Sequence, residues 1–448
     1  MMLHEFKPYP KMKDSGIEWI GKIPERWEKK RISWSFKKIG SGTTPDSHDE
    51  SYYDGHIPWV NSGDLNDGII SETSNYITKK ALEDFSALKI FPKNTLIIAM
   101  YGATIGKLGI LDIPSSTNQA CCNLFDSEDV HYRFLFYWFL GFRSEIIFFG
   151  QGGGQPNINQ DLIKNLRVWV PEISEQKKIS EFLDKETSKI DFQIQNNQKL
   201  IELLKEKRQT TINQAVTKGL DPTVPMKDSG IEWIGEIPEH WEVVPIKKLA
   251  RLQGGFAFES SDFVDEGILL LKIANVSQGK IIWDEKSYLS ESYWNSYPEF
   301  QIRINDILLA MTRPVISSGL KVSIFDDDKK CLLNQRVGRF ILKSKMESAY
   351  FYFLLNLQYV SEQINLRVSE TLQPNISSED IENIPICFTS SLIEQKQIST
   401  FLYKETVKID SLISKTETQI QKLQEYRQSL ISAAVTGKID VRNCVDVS

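Results

Sequence analysis

The sequence predicts an α+β protein: two mixed α/β domains separated by a long antiparallel coiled coil of two repeated helices, the halves related by a pseudo-two-fold axis. Three observations predict it. A stretch starting at Glu175 reads EQKKISEFLDKETSKID, and one starting at Glu394 reads EQKQISTFLYKETVKID, identical at 13 of 17 positions with a constant offset of 219. Beyond each start, apolar residues recur about every 3.5 residues, the spacing of a coiled-coil seam rather than the broader stripe of a globular helix. A further block, MKDSGIEWIGKIPERWE at Met12–Glu28, returns as MKDSGIEWIGEIPEHWE at Met226–Glu242, with only Lys22/Glu236 and Arg26/His240 changed.

Composition sets the outer limits. The 448 residues allow about three domains, and 41% apolar residues supply material for real cores. A net charge of −6 argues against holding a polyanion by bulk charge. Five cysteines without CxxC spacing and five scattered histidines argue against a zinc site and for a reduced, cytoplasmic setting. The opening MMLHEFKPYPKMKD lacks the apolar core of a signal peptide, and the run Phe134–Phe142 is too short to cross a bilayer. No membrane partner is expected.

In chain order, residues 1–28 form an N-terminal segment carrying the first repeated block, a clasp anchored by Trp19 and Trp27. Residues 29–174 form the first variable domain. Strand-like runs occur at Ile57–Val60, Thr95–Met100 and Leu108–Ile113, and a helix is expected over Tyr132–Phe149. The first long helix occupies 175–217, with a seam through Ile190, Ile194, Asn197, Ile201, Leu204, Arg208, Thr211 and Ala215. Residues 218–242 hold a linker and the second clasp, with Trp233 and Trp241 as anchors. The second variable domain covers 243–393, with a helix over Tyr350–Leu366. The second long helix covers 394–437, its seam running through Ile409, Ile413, Thr416, Ile420, Leu423, Arg427, Leu430 and Ala434, and 438–448 is a tail.

Helix direction follows from connectivity. A parallel pair would make the second domain carry the chain back roughly 60 Å, the length of a 40-residue helix. An antiparallel pair lets the chain leave and return at one end. The same symmetry requires the first clasp to dock near Val435–Asp440, which brings the chain termini together.

No catalytic constellation emerges. Gly102–Lys107 resembles a phosphate loop, but only three residues separate its glycines, and Leu108 stands where Ser or Thr would bind magnesium. Gly152–Gly154 lacks dinucleotide spacing, and Asp284-Glu285-Lys286 reads as a solvated charge cluster rather than a nuclease triad. The variable domains share only short signals in the same order. Ala99-Met100 matches Ala310-Met311, Asn118-Gln119 matches Asn334-Gln335, and Gln155-Pro156-Asn157-Ile158 matches Gln373-Pro374-Asn375-Ile376.

Two similar but unequal domains on a rigid strut suit a two-part linear target, and duplex DNA offers one. Amide and guanidinium side chains can read base edges, while Lys, Arg and small polar loops hold phosphates. The paired Asn-Gln and Gln-Pro-Asn signals fit that role, with Thr43, Thr44, Lys107, Lys272, Arg313 and Arg336. The opposing reading makes Asn118, Gln119, Asn334 and Gln335 buried amides that tie loops to the backbone.

Along nearly its whole length the chain resembles the specificity subunit of type I restriction–modification systems. The resemblance is carried by the two DSGIEWIG blocks, the two EQK helix starts, and the helix ends KRQTTINQAVTKGLD and YRQSLISAAVTGKID. The first variable domain also resembles that family's target recognition domain through Gly42-Thr43-Thr44-Pro45, Ile57-Pro58-Trp59-Val60 with Ser62 and Asp64, and Thr117-Asn118-Gln119. The second departs, with Gly254-Gly255-Phe256 for the first turn and Arg313-Pro314 for Gly102-Ala103. Tyr101, Asn275 and Thr312 complete the predicted DNA-contacting set.

The resemblance implies a non-catalytic subunit that reads a bipartite double-stranded DNA site and docks two modification methyltransferase subunits on its helices. Helix length would set the spacing of the half-sites. Restriction subunits would add ATP-dependent translocation and cleavage. S-adenosylmethionine, ATP and magnesium would belong to those partners, leaving this chain without a cofactor of its own. Each variable domain carries a formal charge of −2, from 14 basic and 16 acidic side chains in 29–174 and from 16 and 18 in 243–393. Two other classes compete: a nuclease or methyltransferase with its own active site, and a purely structural coiled-coil scaffold.

Overall fold

The computed structural model describes residues 6–150, 157–317, 319–368 and 374–444. It forms two compact units, Met1–Gln198 with Thr418–Ser448, and Lys199–Glu417. Two uninterrupted helices, Ile173–Lys218 and Leu392–Val435, contribute to both. Among the described residues, no helix is long and apolar enough to cross a membrane.

The helices run antiparallel within each unit. In unit one, Ile179, Leu183 and Ile190 of the first helix share a core with Leu430, Ile431 and Val435 of the second, and Arg427 Nε lies 2.8 Å from Asp191 Oδ1. In unit two the roles exchange. Ile212 and Val216 join Ile398 and Leu402, and Arg208 Nε donates to Asp410 Oδ1 at 2.9 Å. The 3.5-residue seam is visible as burial: Ile194, Asn197, Ile201, Leu204 and Arg208 are half-buried, while the residues between them are exposed. The second helix repeats this at Ile413, Ile420, Leu423 and Arg427, with Thr416 buried and Tyr426 also half-buried. Side-chain packing of this narrow stripe, not intrinsic propensity, keeps such long helices formed.

Each clasp is a short hairpin pressed on a helix end. Met12–Asp14 pairs antiparallel with Lys22–Pro24, as Met226–Asp228 does with Glu236–Pro238. The first helix ends before Gly219, at φ +73°, and the second before Gly437, at φ +64°. Such left-handed helix ends favour glycine. At Gly437 there is also no room for a side chain, since a Cβ would come within 2.3 Å of Pro24 Cγ, whereas one on Gly219 would make ordinary contact, 3.5 Å from Trp241. Trp27 and Trp241 are fully buried there. Trp27 Nε1 donates to Glu175 at 3.1 Å, and Trp241 Nε1 donates to Glu394 at 3.0 Å. The N-terminal clasp therefore docks at Val435–Asp440 as expected, with Asp440 N donating to Lys7 O at 2.8 Å. Trp233 does not anchor. Trp19 packs against Trp138 and Phe142, whereas Trp233 is 65% exposed.

Unit one carries a five-stranded sheet, ordered Lys38–Gly40, Cys121–Phe125, Leu96–Ala99, Leu108–Leu111, Gly68–Ile70. A three-stranded sheet is centred on Tyr53–Val60. Unit two has two four-stranded sheets, one around Val337–Leu342 and Ile307–Ala310, the other around Ile268–Leu271. The expected single helices are each two. Tyr132–Gly141 breaks at Phe142 before Arg143–Phe149, and Ser348–Leu355 breaks before Gln358–Asn365. Phe142 leaves helical geometry at φ −128°, ψ 24°.

The glutamine of each EQK start joins domain to helix. Gln176, fully buried, accepts from His131 N at 2.7 Å and donates to Asp129 O and Pro171 O. Gln395 accepts from Glu347 N at 2.8 Å and donates to Lys345 O and Thr389 O. A buried amide must be satisfied at every group, which accounts for Gln recurring here.

Candidate nucleic-acid interface

The scattered signals of the first domain meet at one rim. Tyr53–Val60 runs parallel to Ser116–Thr117, with Trp59 opposite Ser116 and Val60 opposite Thr117. Parallel strands end on the same side, so the turns Asn61–Asp64 and Asn118–Ala120 emerge together. Asn118 N donates to Val60 O at 3.0 Å, Met100 N to Ala120 O at 2.8 Å, and Ile158 N to Met100 O at 2.8 Å. Gly42 passes so close that a Cβ there would overlap Thr117 O, at 1.6 Å. The loops at Gly42–Pro45, Ser62–Asp64, Tyr101–Lys107, Asn118–Gln119 and Asn157–Ile158 thus share one edge.

Unit two builds the same frame, much of it from matching residues. Ile268–Leu271 runs parallel to Cys331–Leu333, and Asn334 N donates to Leu271 O at 3.1 Å. Met311 N donates to Arg336 O at 2.9 Å, and Ile376 N to Met311 O at 3.0 Å. Gly255 takes the place of Gly42; a Cβ on it would lie 2.2 Å from Asn334 O. Even the turn after the first strand matches. Asn61 N donates to Asp64 Oδ2 at 2.8 Å, and Lys272 N donates to Asn275 Oδ1 at 2.9 Å.

Side chains on this rim divide into half-buried holders and exposed groups. Asn118 Oδ1 accepts from Ala120 N and Asn334 Oδ1 from Gln335 N, so both half-buried asparagines shape their turns. Gln119 and Gln335 are exposed, against the buried-amide reading. Thr44 Oγ1 donates to Gln119 Oε1 at 2.5 Å, while Thr43 is half-buried beside it. Tyr101, Lys107 and Asn157 are exposed in unit one, and Arg313, Arg336 and Asn375 in unit two. Lys272 and Ser62 are half-buried. Asp64 accepts from Thr73 Oγ1 as well as Asn61 N, a holding role.

Two expected contacts are corrected. Asn275 is 1% exposed, and its Nδ2 donates to Ile282 O and Glu285 O, so it closes a loop from inside. Thr312 is buried and donates to Asn375 Oδ1, positioning that exposed amide. Both misassignments have one cause: short polar side chains serve loops and ligands equally well. Gln155 and Gln373 lie outside the described residues. Lys321 was missed. It is half-buried, and burial followed by the Arg313 guanidinium pushes its pKa below the usual lysine range. Arg313 itself has φ +45°, rarely adopted by non-glycine residues.

Gly102–Lys107 is the tip of the Leu96–Ala99/Leu108–Leu111 hairpin, not a strand-to-helix phosphate loop. Among the described residues no cluster could hold a metal. Burial pushes the Cys121 and Cys122 thiols up to about 12, far from a reactive thiolate. A separate apolar surface lies on the helices. In unit two Leu392, Ile393, Phe401 and Val407 are exposed; in unit one Phe182, which matches Phe401, is covered edge-on by Phe6 at 5.5 Å.

Comparison with known proteins agrees with this frame. A family model described as Type I restriction modification DNA specificity domain matches residues 24–204 and 238–423. The Type I restriction enzyme MjaVIII specificity subunit of Methanocaldococcus jannaschii is 32% identical over 429 residues, covering 94% of this chain and 95% of that protein. The MjaIX specificity subunit of the same organism is 26% identical, with coverage of 94% and 95%. The HsdS subunit from Thermoanaerobacter tengcongensis aligns with a TM-score of 0.54 at 15% identity, over 95% of this chain and 100% of that one. At that identity the structural likeness speaks for the fold alone.

Proposed function

The chain belongs to the type I restriction modification DNA specificity family, and from that membership we propose that each unit reads one half of a bipartite duplex site through its rim. It is a specificity subunit. In unit one Thr43, Thr44, Gln119 and Asn157 face base edges, with Tyr101 and Lys107 beside them. In unit two Gln335, Arg336, Asn375 and Arg313 do so, with Lys272 and Lys321 toward phosphates. Amides pair bidentately with adenine and guanidinium groups with guanine, while lysines neutralise phosphate without reading sequence.

One observation carries this reading: the same backbone rim occurs twice and exposes a different set of side chains. A scaffold would have no reason to keep that backbone frame while changing side chains exposed on it. The chain works as a non-catalytic reader. The long helices set the half-site spacing and seat two methyltransferase subunits, with restriction subunits joining that complex. S-adenosylmethionine, ATP and magnesium belong to those partners. With a net charge of −6, this chain alone binds DNA weakly, and the partners complete the positive surface. Replacing 243–393 with the corresponding segment of another family member tests the reading. Base-resolution methylation mapping of the complex should show one half of the motif altered and the other retained. Simultaneous change in both halves would refute it.

A further inference from the structure

Resting on that reading, we propose that Phe256 is a specificity-determining residue whose ring contacts a thymine methyl in the half-site read by unit two. Its place on the rim comes from the backbone. Phe256 N donates to Leu333 O at 3.0 Å, and the residue bridges Asn334, next to the exposed Gln335 and Arg336. The close approach of Gly255 to the Asn334 carbonyl puts it there.

The ring packs against an aromatic cluster and is still partly exposed. Tyr297 lies 4.7 Å from it, Phe258 4.9 Å and Phe300 5.5 Å, while Tyr293 and Tyr297 stack at 5.6 Å with 12° between planes. These contacts fix the direction of the ring. A residue that merely plugged this cluster would be buried as Phe258 is, at 7% exposed; Phe256 is 36% exposed. The corresponding turn of unit one has no aromatic residue. Thr43 and Thr44 stand there, and Thr44 is joined to Gln119.

An apolar group beside an amide and a guanidinium selects its target by chemistry. The major groove displays acceptors, donors and a single apolar feature, the 5-methyl of thymine, for which a phenyl ring is a suitable contact. A ring wedged between base steps would be indifferent to that methyl. The two modes are therefore separable by removing one carbon.

The test uses the full chain in complex with its methyltransferase and a duplex carrying the mapped motif. Each thymine of the unit-two half-site is replaced singly by deoxyuridine, which lacks only the methyl. Expected is a loss of about fourfold in affinity at one position, the value of one buried methyl-sized group. Phe256→Ala should bind more weakly and lose that sensitivity, and Phe256→Leu, still apolar, should keep part of it. Phe258→Leu, from the same cluster, should keep it. The wild-type scan does not depend on any variant folding. Uniform tolerance of deoxyuridine, a half-site without an A·T pair, or undiminished sensitivity in Phe256→Ala overturns the proposal. A Gln335→Ala control separates the two levels. If it alters the motif while the deoxyuridine scan is flat, only the role of Phe256 fails; if it leaves the motif unchanged, the rim reading fails as well.

Discussion

Trp27 and Trp241 sit in the same way, each buried against a helix-end glycine and donating to the glutamate that opens the other long helix. The rims of the same two units share Gln119 and Gln335 but differ around them: Thr43 and Thr44 stand in one, Phe256 and Arg336 in the other. Even the ion pairs follow the first pattern. Asp191 with Arg427 in unit one corresponds, at the offset of 219, to Asp410 with Arg208 in unit two. Packing between helix and clasp must satisfy the same geometry twice, so its residues repeat. A rim faces whatever it binds, so two rims that read different bases must diverge.

The largest expected effect tests the shared frame. Trp27→Ala and Trp241→Ala should each cost about 3–5 kcal/mol, the usual result of emptying a buried Trp site. Denaturant unfolding measures both. Equal losses sharpen the equivalence, and a loss under half as large for Trp241 would break it, since Trp233 gives that clasp no second anchor.

Smaller effects should fall on the rims. Gly42→Ala and Gly255→Ala place a methyl against a carbonyl oxygen, at 1.6 Å and 2.2 Å before relaxation. Overpacking of this kind costs about 1–3 kcal/mol. Each variant should shift the reading of its own half-site and spare the other. Motif mapping that shows both halves disturbed by one glycine would merge the two rims into one site.

The smallest difference is a matter of pH. His131 and Glu347 occupy matching places, their amides bonded to Gln176 and Gln395. Burial, then Lys177 and Arg133, lowers the His131 pKa to about 4 from 6.5. The folded state thus disfavours the charged ring. Its contribution is complete above about 6.5 and is lost as pH falls toward 4. His131→Gln should flatten the stability of unit one across that window, read by thermal unfolding at several pH values. An unchanged slope would remove His131 from the account.

Repetition made much of this legible. The seam positions Ile194, Asn197, Ile201 and Leu204 were readable because two helices in one chain can bury each other, and burial follows the period. Trp27 and Trp241 were readable for the same reason. Trp233 was not, because two nearly identical blocks meet different neighbours; Trp138 and Phe142 belong to unit one alone. The helix break at Phe142 was hidden in an aromatic run without Pro, and Gly141 alone is a weak signal. Among the rim residues, the motifs located the edge but not the orientation. Gln119 and Asn275 are both amides, yet one is open and the other buried. Phe256 carried no polar signal at all, and only its exposure within an aromatic cluster marks it.

The central claim, that each rim reads its own half-site, is tested most directly by base-resolution methylation mapping of two paired variants. One carries Thr44→Ala with Gln119→Ala, the other Gln335→Ala with Arg336→Ala. Loss of a correct contact costs about 1–3 kcal/mol of discrimination at one base pair. The first variant should relax one half of the motif only, and the second the opposite half only. A single variant that relaxes both halves, or two variants that relax the same half, would contradict the account.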